Sequence, residues 1–165
     1  MIKYAIAVLA APVMLLAACS EAPPEMPYGT PQQFMANHVQ PTAEVYWNSV
    51  GSVSELVEGE PVFREFRPET DEDWAKVAAA AVSLREYGEA LATPAYAEGR
   101  GSDWMAFAQG MQDVSRLAEQ AALDKDVDAV FEVGGTLYNV CTACHQVYPP
   151  AELPEGTSVD DLAQS

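Results

Sequence analysis

Residues 140–145, Val-Cys-Thr-Ala-Cys-His, are the stretch on which the fold of this chain depends. Cys141, Cys144 and His145 form the pattern C-x-x-C-H, the attachment signature of covalently bound c-type haem. On a helix, residues three and four positions apart lie on one face, so both thiols and the imidazole project together. The thiols can then form thioether bonds to one edge of a porphyrin while the imidazole binds the iron. The motif therefore predicts one covalently attached haem c on a helix, with His145 as a metal ligand.

Two other chemistries share part of this motif. A C-x-x-C pair can be a redox dithiol of the thioredoxin type, but that interpretation gives His145 no role and requires a βαβ context. The pair can also be half of a structural zinc site, which needs further ligands. His38 is the only other histidine, and the sequence has no second Cys pair. Haem attachment explains more of the motif than either alternative does.

The N-terminus has the pattern of an export signal. Lys3 precedes an apolar run over residues 4–18 that is too short for a transmembrane helix, so residues 1–18 are predicted to be a secretory signal peptide. The Leu-Ala-Ala before Cys19 resembles a bacterial lipobox, in which the Cys becomes the lipid-modified first residue and anchors the protein to a membrane. The alternative is an ordinary signal peptide with Cys19 near its cleavage point. Residues 19–31, which contain four prolines, are predicted to be an extended tether.

The cysteine count supports this assignment. Of the three cysteines, Cys19 would carry lipid, and Cys141 and Cys144 would carry haem. None is left to form a disulfide or a stray thiol in an oxidising compartment.

The chain is strongly acidic. Its formal net charge is -17, and removal of residues 1–18 takes away one Lys and no acidic residue, which gives -18. Such a charge repels nucleic acid, so no nucleic-acid partner is expected, and it favours basic protein partners. The simpler interpretation of the charge is solubility. The residues after the tether suffice for one domain with one core.

Four stretches have the periodicity of amphipathic helices. Pro41 interrupts the first, so a kink or two short helices are expected there. Residues 51–69 have no clean helical period and are assigned to a crossover loop, with a turn near residues 57–62 between short extended pieces. Residues 149–165 form a polar, acidic tail. The four helical stretches cover residues 31–52, 70–93, 102–121 and 126–148.

Four helices with C-x-x-C-H near the end of the last one resemble the cytochrome c prime superfamily, the class II c-type cytochromes. Cys141, Cys144 and His145 are the sharp motif of that resemblance, and mitochondrial-type cytochromes c carry theirs near the start of the chain. The resemblance implies an all-α, up-down-up-down four-helix bundle over residues 32–148. It also implies haem attachment outside the cytoplasmic membrane. Together with the lipobox-like Cys19, this predicts a periplasmic, membrane-anchored lipoprotein of a Gram-negative bacterium. A homodimer remains open.

The up-down-up-down topology predicts which residues surround the haem motif. Residues 141–145 should lie beside residues 34–38, 84–91 and 104–111. Trp104 and Phe107 are expected to line the macrocycle. The residues expected in the plain core at the opposite end are Trp47, Trp74, Val127 and Phe131.

Met35 is the predicted sixth ligand of the iron, because thioether opposite histidine is a recognised c-type axial pair. The alternative is that Met35 only packs on the porphyrin. His38 is the next candidate, and Met105 and Met111 rank below it. Arg85 and Arg100 lie at the haem end of the predicted bundle, so either can pair with a haem propionate.

No pattern of an enzyme is found: there is no Ser-His-Asp order and no phosphate-binding loop. Three functions therefore remain at this point. The first is one-electron transfer to redox partner proteins. The second is binding of a small diatomic gas such as nitric oxide at a five-coordinate haem, and the third is a haem with a mainly structural role.

Overall fold

The computed structural model describes residues 24–150, so the predicted signal peptide, the lipidation site Cys19 and most of the acidic tail lie outside the described part. The described chain is mostly helical, with one two-stranded antiparallel sheet. The predicted dominance of helix is confirmed, but the two strands do not fit a purely all-α class. The helices are α1 (Pro31–Phe34), α2 (Gln40–Trp47), α3 (Asp71–Leu91), α4 (Pro94–Ala97), α5 (Gly101–Leu123) and α6 (Val127–Val147), and the strands are β1 (Gly51–Val57) and β2 (Glu60–Phe66).

A π-helical turn over Met35–Val39 joins α1 to α2. Thr30 caps α1 in a reciprocal capping box with Gln33. Pro41 has no N–H to donate, and in a regular α-helix its ring clashes with the carbonyl four residues back. The wider turn, in which the N–H of Gln40 donates to the carbonyl of Met35, lies directly before Pro41. The predicted interruption thus takes the form of a π turn.

The segment assigned to a crossover loop is a β-hairpin. Its register pairs Gly51 with Phe66 at the open end and Val57 with Glu60 at the turn. Glu58 and Gly59 both have positive φ, 54° and 88°, as a two-residue type I′ turn requires. The expected turn between two short extended segments is confirmed. The prediction that residues 51–69 as a whole form a crossover loop is wrong. Large apolar side chains on the hairpin are exposed, Leu56 at 74% and Phe63 at 65%.

The tether gives way to packed structure earlier than its predicted end. Tyr28 stacks on Phe34 with ring centroids 4.3 Å apart. The hydroxyl of Tyr96 accepts a hydrogen bond from the N–H of Tyr28 at 3.1 Å and donates to the carbonyl of Gly29 at 3.1 Å. Residues 28–30 therefore belong to the packed domain.

Two of the long helices, α3 and α6, begin at residues whose side chains cap them, whereas α5 begins after Arg100 without a side-chain cap. Thr70 and Asp73 form the capping box of α3. Asp126 caps α6 by accepting a hydrogen bond from the N–H of Ala129 at 3.0 Å. The predicted helix 70–93 is thus confirmed as α3, with the separate short α4 after it.

The core is built by α2 against α3, α3 along α5, and α5 against α6. One cluster of buried side chains surrounds Phe34, Leu84, Trp104 and Leu137. A second surrounds Tyr46, Trp74, Ala81 and Val130. Within residues 24–150, no helix has the length and apolar character that a membrane span requires.

Two residues assigned to the plain core lie elsewhere. Trp47 is only half-buried and faces a cavity described below. Phe131 is 66% exposed. On α6, Val130, Gly134 and Leu137 form the buried stripe, and Phe131 lies on the stripe beside it, because neighbouring helical residues do not share a face.

Candidate functional site

A mostly apolar, partly open cavity of about 280 Å³ contains both thiols and the imidazole of the C-x-x-C-H motif. We call it the cysteine cavity. Its walls are the end of α6, the first half of α5, and the π turn with α2. The lining residues are Met35, Val39, Gln40, Ala43, Trp47, Leu91, Trp104, Phe107, Ala108, Met111, Tyr138, Val140, Cys141, Thr142, Cys144 and His145.

The α6 wall carries the chemistry-bearing side chains. Cys141 and Cys144 are half-buried, and His145 is exposed on its outer side. Burial raises the pKa of Cys141 to about 11, and the neighbouring Cys144 adds to the rise. Burial also raises the pKa of Cys144, while the charge of Arg100 opposes that rise. Both groups are therefore neutral thiols near neutral pH in the protein without haem.

The wall formed by the π turn and α2 presents one residue every four positions: Met35, Val39, Ala43 and Trp47. Met35 is half-buried, and its thioether is the group of this wall best suited to bind iron. Trp47 ties this wall to α6, because its indole N–H donates to the carbonyl of Gly134 at 3.0 Å. Its ring also contacts Tyr138, with centroids 5.7 Å apart.

The α5 wall is aromatic at its outer end and aliphatic deeper in. Trp104 and Phe107, which were expected to line a haem macrocycle, line this cavity. The indole of Trp104 donates a 2.6 Å hydrogen bond to the carbonyl of Leu91 at the end of α3, which fixes the ring. The ring of Tyr148 packs edge-on against Trp104 at 5.2 Å. Its hydroxyl donates to the carbonyl of Arg100 at 2.6 Å, so the chain just after α6 is tied to the start of α5.

The other candidate iron ligands differ in whether they line the cysteine cavity. His38 is not among the lining residues; its ring lies against Tyr28 at 5.0 Å, Tyr87 at 6.0 Å and Phe34 at 6.1 Å. Neither a ligand role in the cysteine cavity nor a zinc site shared with the Cys pair suits that position. Met111 is buried and lines the cavity, so it is a second thioether there.

The remaining candidates differ in exposure and partners. Met105, by contrast with Met111, is 43% exposed. Of residues 84–91, only Leu91 lines the cavity. Arg85 pairs with Glu89 at 2.9 Å. Arg100 lies over Trp104, with its guanidinium carbon 4.4 Å from the ring centroid.

Sequence reasoning missed Val39, Ala43 and Tyr138 as lining residues. Val39 and Ala43 follow Met35 at spacings of four and eight residues, and this spacing is the sequence signal that could have identified them. Tyr138 lies one helical turn before Cys141 on α6 and was assigned only to the core seam. A periodic seam does not distinguish a side chain in the core from one that faces a cavity.

The donor set of the cysteine cavity fits a covalently bound haem. Two thiols and an imidazole lie at one side, a thioether lies on another wall, and most of the lining is apolar. A mostly apolar pocket with a few convergent polar groups is typical of a cofactor site. Neither a family model, nor a curated protein, nor a solved structure matches the chain. Function is therefore inferred from the residues of the site.

Proposed function

We propose that this chain is a membrane-anchored c-type cytochrome that carries single electrons with a covalently bound haem. The observation that carries the proposal is the presence of Cys141, Cys144 and His145 in one apolar cavity at the end of α6. Cys141 and Cys144 would hold the haem by thioether bonds, and His145 would bind its iron. We also propose that the helices form the up-down-up-down bundle of the cytochrome c prime superfamily, with the β-hairpin inserted between α2 and α3. The contacts of α2 with α3, α3 with α5 and α5 with α6 support that topology.

A bound haem supplies a one-electron iron couple, and the chain determines its environment. Trp104 and Phe107 would cover the macrocycle and exclude water, which affects the reduction potential. The hydrogen bond from Trp104 to Leu91 keeps that wall in place. The linkage of Trp47 to Gly134 does the same for the wall that carries Met35.

Met35 is the proposed sixth ligand. It lines the cavity from the π turn, and such turns occur often at functional sites. A second candidate function is binding of a small gas such as nitric oxide at a five-coordinate iron. That function is favoured by Val39, Ala43 and Ala108, which line the same cavity and offer no side-chain atom able to bind iron.

We further propose that Cys19 carries the lipid anchor and that the domain works in the periplasm of a Gram-negative bacterium. That compartment is oxidising, which agrees with the proposal that one cysteine carries lipid, two carry haem and none remains a free thiol. A charge of -18 after removal of residues 1–18 favours redox partners with a basic surface.

The test is to export the full chain in a bacterium that matures c-type cytochromes. The expected product binds one haem that denaturation does not release, as shown by intact mass and by the spectrum of the denatured protein. Cys141→Ser and Cys144→Ser should each leave at most one thioether bond. A colourless protein with both thiols free contradicts the proposal.

Axial ligation then separates the two candidate functions. With Met35 as ligand, the ferric protein should be low-spin and Met35→Ala should make it high-spin, because the sixth position opens. Met111→Ala is the matched control, since it removes the other thioether of the cavity, and its spectrum should stay low-spin. A high-spin ferric spectrum that Met35→Ala leaves unchanged would favour gas binding instead.

A further inference from the structure

Arg100 is an unusual cation in this acidic chain. Residues 24–150 contain seven Lys and Arg residues, and five of them form ion pairs with Asp or Glu. Arg67 and Arg100 have no carboxylate partner within the described part of the chain. The five paired residues are Arg64, Lys76, Arg85, Arg116 and Lys125.

The guanidinium of Arg100 is held in place although it has no acidic partner. Its Nε donates a 2.7 Å hydrogen bond to the carbonyl of Tyr96, and its guanidinium carbon lies over the ring of Trp104, 4.4 Å from the ring centroid. The backbone carbonyl of Arg100 accepts the hydrogen bond from Tyr148. No hydrogen bond within residues 24–150 uses its two terminal nitrogens. An Arg fixed in this way presents a fork of donors that matches the two oxygens of a carboxylate.

The position of this fork is at the rim of the cysteine cavity. Trp104, which Arg100 covers, lines the cavity, and the charge of Arg100 reaches Cys144. Arg100 is half-buried, so an ion pair there is screened less than one on the open surface. Arg67 lies apart, beside a second, more polar pocket between the base of the hairpin and the start of α6.

We propose that Arg100 binds a carboxylate of the tetrapyrrole, a haem propionate, through its terminal guanidinium nitrogens. The inference rests on the proposed function and adds a binding residue that lies outside the C-x-x-C-H motif. Tyr96 and Tyr148 act on the same ligand as positioning residues, because they hold Arg100 by its Nε and by its backbone. Arg85 is not assigned this role, since one of its terminal nitrogens pairs with Glu89 and Arg85 does not line the cavity.

The experiment compares Arg100→Gln and Arg100→Lys with Arg85→Gln in the exported, haem-loaded full chain. The primary readout is the propionate-bending band in the resonance Raman spectrum, which responds to hydrogen bonds at the carboxylate. Arg100→Gln should shift this band, and Arg85→Gln should leave it in place. The midpoint potential of Arg100→Gln should also fall, because loss of a nearby positive charge favours the ferric state.

The outcomes separate the inference from the function on which it rests. A colourless unsubstituted protein overturns both. A haem-loaded protein whose propionate band is the same in Arg100→Gln overturns the assignment of Arg100 alone, even if the potential falls, because a charge acting at a distance would lower the potential without touching the carboxylate. Circular dichroism checks folding. If Arg100→Gln does not fold, Arg100→Lys decides: its single point charge replaces the fork, so an unshifted band there overturns the assignment.

Discussion

Helix α3 packs tightly against α5 at Gly88, and this contact gives a sharp test of the packing. A Cβ added at Gly88 would lie 2.8 Å from Cγ of Gln112, 3.1 Å from the carbonyl oxygen of Ala108 and 3.2 Å from the amide nitrogen of Gln112. The side chain of Gln112 can move, but the two backbone atoms move only if α5 shifts away from α3. Gly88→Ala therefore forces the two helices apart.

Gly135, on the exposed side of α6, provides a matched control. A Cβ added there meets nothing within 4 Å. Gly135→Ala should stabilise the protein by about 0.5–1 kcal/mol, because Gly in mid-helix is destabilising by that amount relative to Ala. The same gain applies to Gly88→Ala but is outweighed by overpacking, which typically costs about 1–3 kcal/mol. With two backbone contacts in the way, we expect the upper part of that range and a net loss of about 1–2 kcal/mol.

The two variants should thus differ by about 1.5–3 kcal/mol in free energy of unfolding, in opposite directions from the unsubstituted protein. Urea unfolding followed by circular dichroism measures this, provided that the slope with denaturant is the same in all three proteins. Ala108 lines the cysteine cavity, so Gly88→Ala should also displace the α5 wall and lower the fraction of protein that carries haem. If Gly88→Ala is as stable as Gly135→Ala, α3 and α5 do not approach as closely as described here.

Two further measurements address the thiols and the hairpin. In haem-free Cys144→Ser protein, alkylation of Cys141 should be slower at about pH 8 than alkylation of free cysteine, because burial raises the pKa of Cys141 and only the thiolate reacts. Its rate should still rise above pH 9, because burial alone raises the pKa of Cys141 in this variant, and a plateau near pH 9 would contradict this. Leu56→Ser and Phe63→Ser should each change the free energy of unfolding by at most about 0.5 kcal/mol, because both side chains are mostly exposed. Leu84→Ala, at a fully buried side chain, should cost about 2–5 kcal/mol in the same assay, and an equal cost at the hairpin would show that its apolar side chains are covered.

The long helices could be predicted because their signals are local. The capping box of Thr70 and Asp73 and the cap at Asp126 act over three residues, and the structure contains both. Apolar and small residues that recur every three or four positions along α3, among them Gly88, are buried, as helical periodicity indicates. The position of the C-x-x-C-H motif near the end of a helix follows from the same local rules.

The hairpin could be predicted only in part, because its apolar residues do not alternate strictly. Leu56 and Val57 are neighbours in β1, and Val62 and Phe63 are neighbours in β2, so both faces carry apolar side chains. The usual signal of a strand is one buried face with period two, and that signal is absent here. Only the two-residue turn at Glu58 and Gly59 has a local sequence signal.

The wall opposite α6 could not be predicted, because it depends on the geometry of the helix and not only on its sequence. Residues spaced by four drift around a regular α-helix, which has 3.6 residues per turn. On that basis Trp47 should turn away from the face of Met35, and the predicted topology separately places Trp47 in the core at the opposite end of the bundle. A π turn holds more residues per turn, so it reduces the drift at the point where it occurs. With the π turn over Met35–Val39, both Met35 and Trp47 line the cysteine cavity. Pro41, which in the sequence predicts an interrupted helix, therefore contributes to the geometry of the cysteine cavity.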